Sequence, residues 1–444
     1  RRVAAQTLFR FVQSRFEPEF RNMVGYKVRF DEKNADECVI RFMTDGILVA
    51  EASTDPLLSQ YDTIILDEVH ERSVNIDLLL GFLKMLLSQR EDLHIIIASA
   101  TLNTELFSRY FNNAVILTIR GRLYPVEISW RPVIELWKGE SIDSYIEGVI
   151  VNVLEVIQTS SDGDILVFLP TIDDIYDTIN KLQHRVARND IHFFSLHSRS
   201  STVNQKRIFE KTSGRKVIVA TNVAETSITV PGIRYVIDSG LARNLRYDTK
   251  AAISRMPVEK ISRSAAQQRA GRCGRTENGV CIRLYSEQDF LSRPLYTQPE
   301  IKRSNLSGVL LRLYQMSEHY VKQFPFILRP HQSAVNDGLG VLRELGAVDR
   351  HGKLSVIGRK MARLPLDPSI SRMLLFSMGN GTFNEISVIA AALSVDGLTM
   401  SEVDTDNHNP AKFRHPQSDF LTFLSIWKEL NFFKCREHNK NRGI

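Results

Sequence analysis

Tyr61-Asp62-Thr63-Ile64-Ile65-Leu66-Asp67-Glu68-Val69-His70-Glu71-Arg72 runs from three apolar residues, two of them β-branched, straight into adjacent carboxylates and a histidine. An apolar run of that length, bounded by polar residues, predicts a central strand of a parallel sheet covered on both faces. Two neighbouring acids are costly inside such a core. They are comfortable at the strand's carboxyl end, where open α/β sheets bind their ligands. The chemistry that needs such a pair is nucleotide hydrolysis, with Asp67 holding Mg²⁺ through its water shell and Glu68 orienting and deprotonating the attacking water. Alone, the dipeptide is better explained as a solvated strand end, so the reading depends on its company.

The flanks extend an α/β rhythm. A helical period runs from Arg1 to about Arg15, followed by strands at Val24–Phe30 and Cys38–Met43 and a short helix from Gly46 to about Ala52. After the acid stretch, Ile76 to Leu87 is strongly apolar and helical, and His94 to Ala98 is a second buried strand. This alternation is the signature of a doubly wound sheet. The pattern changes to a turn and extended chain at Gly121–Val126, which places a first boundary near Trp130. A second α/β series follows, with strands at Asp164–Leu169, Ile191–Leu196, Lys216–Ala220 and Ile233–Ile237 and a helix from Thr171 to about Ala187. The stretch from Asn244 to Ile261 alternates in character and is read as a projecting β-hairpin. Helices dominate from about Pro299. Asn336–Val348 is an amphipathic helix with a glycine stop, Asp349–Val356 a short β wing, and the chain beyond Pro365 is helical.

Composition bounds the function. At 444 residues the chain exceeds one ordinary core and implies about three domains. Hydrophobic residues at 43% and charged residues at 24% are ordinary for soluble globular proteins. The net charge of +6 leans mildly towards an anionic partner. Cys38, Cys273, Cys281 and Cys435 are scattered without a Cys-x-x-Cys pair, which argues against a zinc site or disulfide framework and fits a reducing cytoplasm. No apolar run approaches membrane-spanning length, and no membrane partner is expected. The chain opens in mid-pattern on Arg1-Arg2-Val3-Ala4-Ala5, without a methionine, and reads as a fragment.

Three more stretches carry chemistry: Ser99-Ala100-Thr101, Ala220-Thr221-Asn222-Val223-Ala224-Glu225-Thr226-Ser227, and Gln267-Gln268-Arg269-Ala270-Gly271-Arg272-Cys273-Gly274-Arg275. Arginines three apart share a helical face, so Arg272 and Arg275 can point together at a phosphate. Taken in order with Asp67-Glu68-Val69-His70, these stretches make the chain resemble the DEAH-box helicases of superfamily 2, most closely the bacterial HrpA-type RNA helicases. Val69 stands where that family usually has alanine.

The resemblance implies two tandem RecA-like α/β domains, residues 1–130 and 131–298, then a winged helix at 299–365 and a helical segment at 366–444. It implies an enzyme that uses ATP or another NTP with Mg²⁺ to translocate 3′ to 5′ on RNA and unwind or remodel it. Its RNA would be single-stranded, or a duplex with a single-stranded overhang. Asp67 and Glu68 become the metal and water-activating acids, His70 a link to Gln268, and Arg272 and Arg275 the arginine fingers. Phe209 stacks on the base, Ser227 senses the γ-phosphate, and Ser99 and Thr101 couple hydrolysis to domain movement. Arg1, Arg2, Arg29, Thr44, Asp45, Gly46, Thr221 and Asn222 hold the nucleic-acid backbone, which gives affinity without sequence information. Phe11 stands where the family usually has a base-stacking arginine. The hairpin resembles the family's strand-separating element.

One part is missing. The 444 residues contain no Gly-x-x-x-x-Gly-Lys-Ser/Thr loop; the only Gly-Lys pair, Gly352-Lys353, is followed by Leu354 in the expected wing. The chain alone is therefore expected to bind ATP poorly and hydrolyse it negligibly. The alternative is a non-catalytic nucleic-acid-binding protein that has lost the loop.

Overall fold

A computed structural model of the chain describes residues 2–34, 38–100, 104–119, 121, 124–133, 143–188, 190–198, 200, 207–210, 212–225, 230–248, 253–394 and 415–441. It divides into two compact units, residues 1–305 with 325–334, and residues 306–324 with 335–444.

The first unit holds two α/β lobes. In the first lobe, β1 (Val24–Val28), β2 (Asp31–Lys33) and β3 (Ile40–Met43) form a sheet in the order β2-β1-β3, with β1 and β3 parallel. The strand carrying the acids, β4 (Thr63–Leu66), pairs in parallel with β5 (His94–Ile97). Ile64 and Leu66 are buried, whereas Ile65 is 62% exposed and its partner across the ladder, Ile96, is 50% exposed. Among the described residues β4 has one neighbour and one packed face, and an unbroken apolar run cannot by itself distinguish that from a doubly covered strand.

The second lobe is a six-stranded parallel sheet. It takes β6 (Val126–Trp130), β7 (Asp164–Phe168), β8 (Ile191–Leu196), β9 (Arg215–Ala220) and β10 (Ile233–Asp238) in sequence. The chain then leaves it through a long antiparallel arm. Here β11 (Leu241–Arg243) pairs with β14 (Val258–Lys260), and β12 (Arg246–Asp248) with β13 (Ile253–Arg255). It returns in β15 (Gly279–Arg283), giving the spatial order β6-β15-β10-β7-β9-β8. Alternate residues of β7 serve two cores. Ile165 and Val167 pack with Val149, Val153 and Ile175 of the covering helices, while Leu166 and Phe168 pack with Ile208, Ala224 and Ala270 on the other side. A parallel sheet buried on both faces needs this continuous apolar content.

Two boundaries move. Val126–Trp130 belongs to the second sheet, with Trp130 opposite Arg283, so the first boundary falls before Val126 rather than near Trp130. An aromatic nest draws the strand in: Trp130 packs on Tyr285 and Phe290 with ring centroids 6.0 and 5.5 Å apart. The segment 299–365, expected as one winged helix, is split between the units, with 299–305 and 325–334 going to the first.

The helix Gln332–Glu344, which belongs to the second unit from Val335 on, is followed by Gly346 in the left-handed region (φ 70°) and an antiparallel bridge between Val348 and Leu354. Helices Val356–Ala362, Pro368–Ser377, Phe383–Ser394 and Asp419–Asn441 complete that unit. Among the described residues no helix is long and apolar enough to cross a membrane.

Candidate active site

The acid stretch turns back on itself as soon as β4 ends. Ala98 N–H donates to Leu66 O at 2.8 Å and Val69 N–H to Ala98 O at 3.3 Å, so the two strand ends stay locked together. Glu68 (φ 54°) and Arg72 (φ 47°) both adopt left-handed backbone and bracket the single tight turn Val69–Glu71. Each such residue costs about 1–3 kcal/mol, and this kind of strain gathers at functional sites. The turn sends Val69 into the core at 0% exposure and leaves Asp67 and Glu68 on the accessible side. The extra methyls relative to alanine thus sit in packed apolar surroundings.

Asp67 Oδ1 accepts Glu68 N–H at 2.8 Å. His70 Nδ1 lies 3.3 Å from Glu68 Oε2 and 3.4 Å from Ser99 Oγ, so the acid turn and the end of β5 meet at one ring nitrogen. Burial pushes the His70 pKa down and keeps the ring neutral. The carboxylate beside Nδ1 favours the proton there, which makes Nε2 an acceptor. Nε2 is buried without a partner among the described residues. His70 lines a cavity of about 400 Å³ together with Gln268, Asn222 and Glu225 of the second lobe.

The two lobes meet electrostatically at Glu68. Burial, Asp67 and Glu71 raise its pKa, and Arg272 and Arg275 oppose them. The arginines arrive differently from the expectation. The helix Arg263–Ala270 is capped by Gly271, and Arg272 N–H closes on Arg269 O at 3.1 Å in a tighter turn. Arg272 and Arg275 thus lie beyond the helix and converge through the turn, not through a shared helical face. The spacing fits a helix, but the helix ends at Ala270, before either arginine. Arg272 is 8% exposed and its Nη2 donates to the backbone carbonyl of Glu225. Burial and the neighbouring Arg275 pull its pKa down to about 10, which still leaves it charged at neutral pH.

Behind these arginines lies a buried ionic network absent from the sequence reading. Arg269, fully buried, donates to Glu225 Oε2 at 3.0 Å, Asp238 Oδ1 at 2.7 Å and Leu241 O at 3.1 Å, with its guanidinium over the Phe168 ring. Asp238 is completed by Tyr285 Oη at 2.8 Å and Gly240 N–H at 2.9 Å. Glu225 therefore binds one arginine through its side chain and the next through its carbonyl. A signal was available: Asp238 ends an apolar strand just as Asp67 does.

The remaining residues are more dispersed. Thr44 stands just before the helix Asp45–Thr54, and Asp45 Oδ2 accepts Ser73 Oγ at 3.2 Å. Asp45 Oδ1 accepts Gly46 N–H at 2.9 Å. Arg29 stacks on Phe30 at 4.9 Å. Thr221 N–H donates to Leu196 O at 3.1 Å. Phe209 is 37% exposed, and Phe11 is 56% exposed beneath the Arg15 guanidinium. Arg1, Thr101 and Ser227 lie outside the described residues, as does the side chain of Arg2.

Mg²⁺ fits this donor set in a limited way. No cluster of three or more metal-ligating side chains occurs among the described residues. The exposed Asp67 suits an ion that keeps its waters and takes its other oxygens from phosphates.

Comparison with known proteins gives the same outline. The helicase conserved C-terminal domain matches residues 148–277. The helicase-associated domain HA2 matches twice, its winged-helix part at 339–366 and its ratchet-like part at 367–423. These three matches follow one another along the chain, and all carry helicase descriptions. The chain is 44% identical over 441 residues to the ATP-dependent RNA helicase HrpA of Escherichia coli (strain K12), a match covering 97% of this chain and 34% of that protein. It is 41% identical over 453 residues to the HrpA homolog of Haemophilus influenzae, covering 100% and 34%. The solved structure of the Escherichia coli DEAH/RHA helicase HrpB superposes with a TM-score of 0.79 at 29% identity, covering 97% of this chain and 54% of that one. These matches support reading the chain as a fragment of a DEAH-box helicase of the HrpA type. It spans 34% of the length of these two curated relatives.

Proposed function

We propose that the complete protein carrying this chain is a cytoplasmic ATP-dependent RNA helicase that hydrolyses ATP, or another NTP, with Mg²⁺ and moves 3′ to 5′ on RNA. One observation supports this most: His70 of the first lobe and Asn222, Glu225 and Gln268 of the second line one cavity of about 400 Å³. When bound, Mg²⁺ supplies charge neutralisation between phosphate oxygens. Glu68 orients the attacking water and takes its proton, and Asp67 holds the metal's water shell. Arg272 and Arg275 stabilise charge developing on the transferred phosphoryl group, and Gln268 meets His70 across the cavity. The relatives' names support RNA as the substrate.

The test is strand displacement by the complete protein on duplexes with a 3′ or a 5′ single-stranded RNA overhang. Unwinding from the 3′ overhang alone is expected; ATP turnover without RNA stimulation contradicts the reading. The 444-residue chain by itself, lacking the phosphate-cradling loop, should show no RNA-stimulated ATP turnover above background.

The pH profile gives a second check. Burial and neighbouring acids hold the Glu68 carboxyl above the ordinary carboxylate range, and the base must be ionised to accept a proton. The acid limb of kcat/KM should therefore fall off at a pH above the ordinary glutamate value, and Glu71→Gln, which removes one opposing charge, should shift that limb to lower pH.

A further inference from the structure

The turn that follows the second lobe is bonded to both halves of the motor. Its start grips the first lobe: Glu300 N–H donates to Arg72 O at 3.0 Å, and Val74 N–H donates to Glu300 Oε2 at 3.0 Å. Its end grips the antiparallel arm of the second lobe: Tyr247 N–H donates to Arg303 O at 2.7 Å, and Arg303 Nη1 donates to Leu245 O at 2.8 Å. Between these grips lies only the turn Glu300–Lys302, closed by Arg303 and Ser304 N–H on Glu300 O at 3.0 Å each and pinned by Ile301 at 0% exposure.

The first grip falls where little slack exists. Arg72 stands two residues after His70 in left-handed backbone, and its guanidinium is locked on the buried Asp77 at 2.5 and 3.1 Å. Val74 begins the helix Val74–Leu86, whose leading N–H groups have no partner within the helix. Glu300 supplies one of those acceptors from a distant part of the chain, at the helix end where negative charge is favoured. A shift of the acid turn therefore drags Glu300, and with it Arg303 and the root of the β12–β13 hairpin.

We propose that Glu300 is a positioning residue that couples movement of the Asp67–His70 turn to the hairpin, through Arg303 at the far end of the same turn. The inference rests on the helicase reading and adds to it a route by which hydrolysis reaches the arm. Its chemistry is ordinary: two charge-assisted or backbone bonds at each end of a stiff linker, so that neither end can move alone.

The experiment compares ATP turnover and strand displacement in the complete protein. Glu300→Ala is expected to keep RNA-stimulated turnover and to lower the base pairs separated per ATP about tenfold, the scale of one charge-assisted hydrogen bond. Glu300→Gln, whose amide oxygen still accepts from Val74 N–H, should recover most of that yield. Arg303→Ala, at the other end, should reproduce the Glu300→Ala split. Parallel loss of turnover and displacement in soluble Glu300→Ala, or an unchanged yield per ATP, overturns the proposal. If Glu300→Ala does not fold, the Arg303→Ala split decides it in the same way. A wild-type protein without RNA-stimulated turnover instead removes the helicase reading itself, and is seen before any variant is made.

Discussion

Arg272→Ala in the complete protein is expected to lower RNA-stimulated ATP hydrolysis about 10³- to 10⁵-fold, the range an arginine finger supplies in phosphoryl transfer. Arg272 is set before any nucleotide arrives, since burial limits its rotamers and the Glu225 carbonyl holds one of its nitrogens. A preorganised donor needs no rearrangement as charge develops, which is where its advantage lies. Arg272→Lys should rescue little, because a point charge lacks the planar fork that reaches both the phosphate and the carbonyl. The effect should fall on kcat, with RNA affinity retained. A loss smaller than about tenfold would place Arg272 outside the reacting centre.

Asp238→Ala should destabilise the second lobe by about 3–5 kcal/mol, the penalty for breaking one side of a buried ion pair. The alanine leaves Arg269 fully buried with Glu225 as its remaining carboxylate, and it orphans the Tyr285 hydroxyl. Asp238→Asn, which keeps an acceptor, should cost less. Replacing Asp238 and Arg269 together by apolar residues of similar volume should also cost less than the single alanine, because the fully buried guanidinium goes with its partner and the carboxylate left behind, Glu225, is the one member of the three that reaches solvent. Denaturant midpoints of the three variants give this order directly, and a double replacement worse than the single one would show that the network does more than neutralise Arg269.

The sequence made the strands and their acid-tipped ends legible because an apolar run ending in charge has few other homes. Asp67, Glu68 and the second-lobe strands β7, β9 and β10 were read this way, and the hairpin's alternation located β12 and β13. Long-range partners were not legible. Asp238 shows the same strand-end grammar as Asp67, yet only the fold reveals that it points at Arg269. The spacing of Arg272 and Arg275 matches a helix that stops after Ala270, since local period carries no information about where the helix ends. Trp130 reads as a boundary in the sequence, since its partners, Tyr285 and Phe290, lie far along the chain. Glu300 gave no local signal at all, since its significance lies in reaching back to Val74.

The most direct test is a crystal structure of the complete protein with Mg²⁺, ADP and aluminium fluoride as a mimic of the transferring phosphoryl group. The account predicts Arg272 and Arg275 bonded to the fluoride from one lobe and Glu68 on the in-line water from the other. A mimic bound with either set turned away into solvent would contradict it.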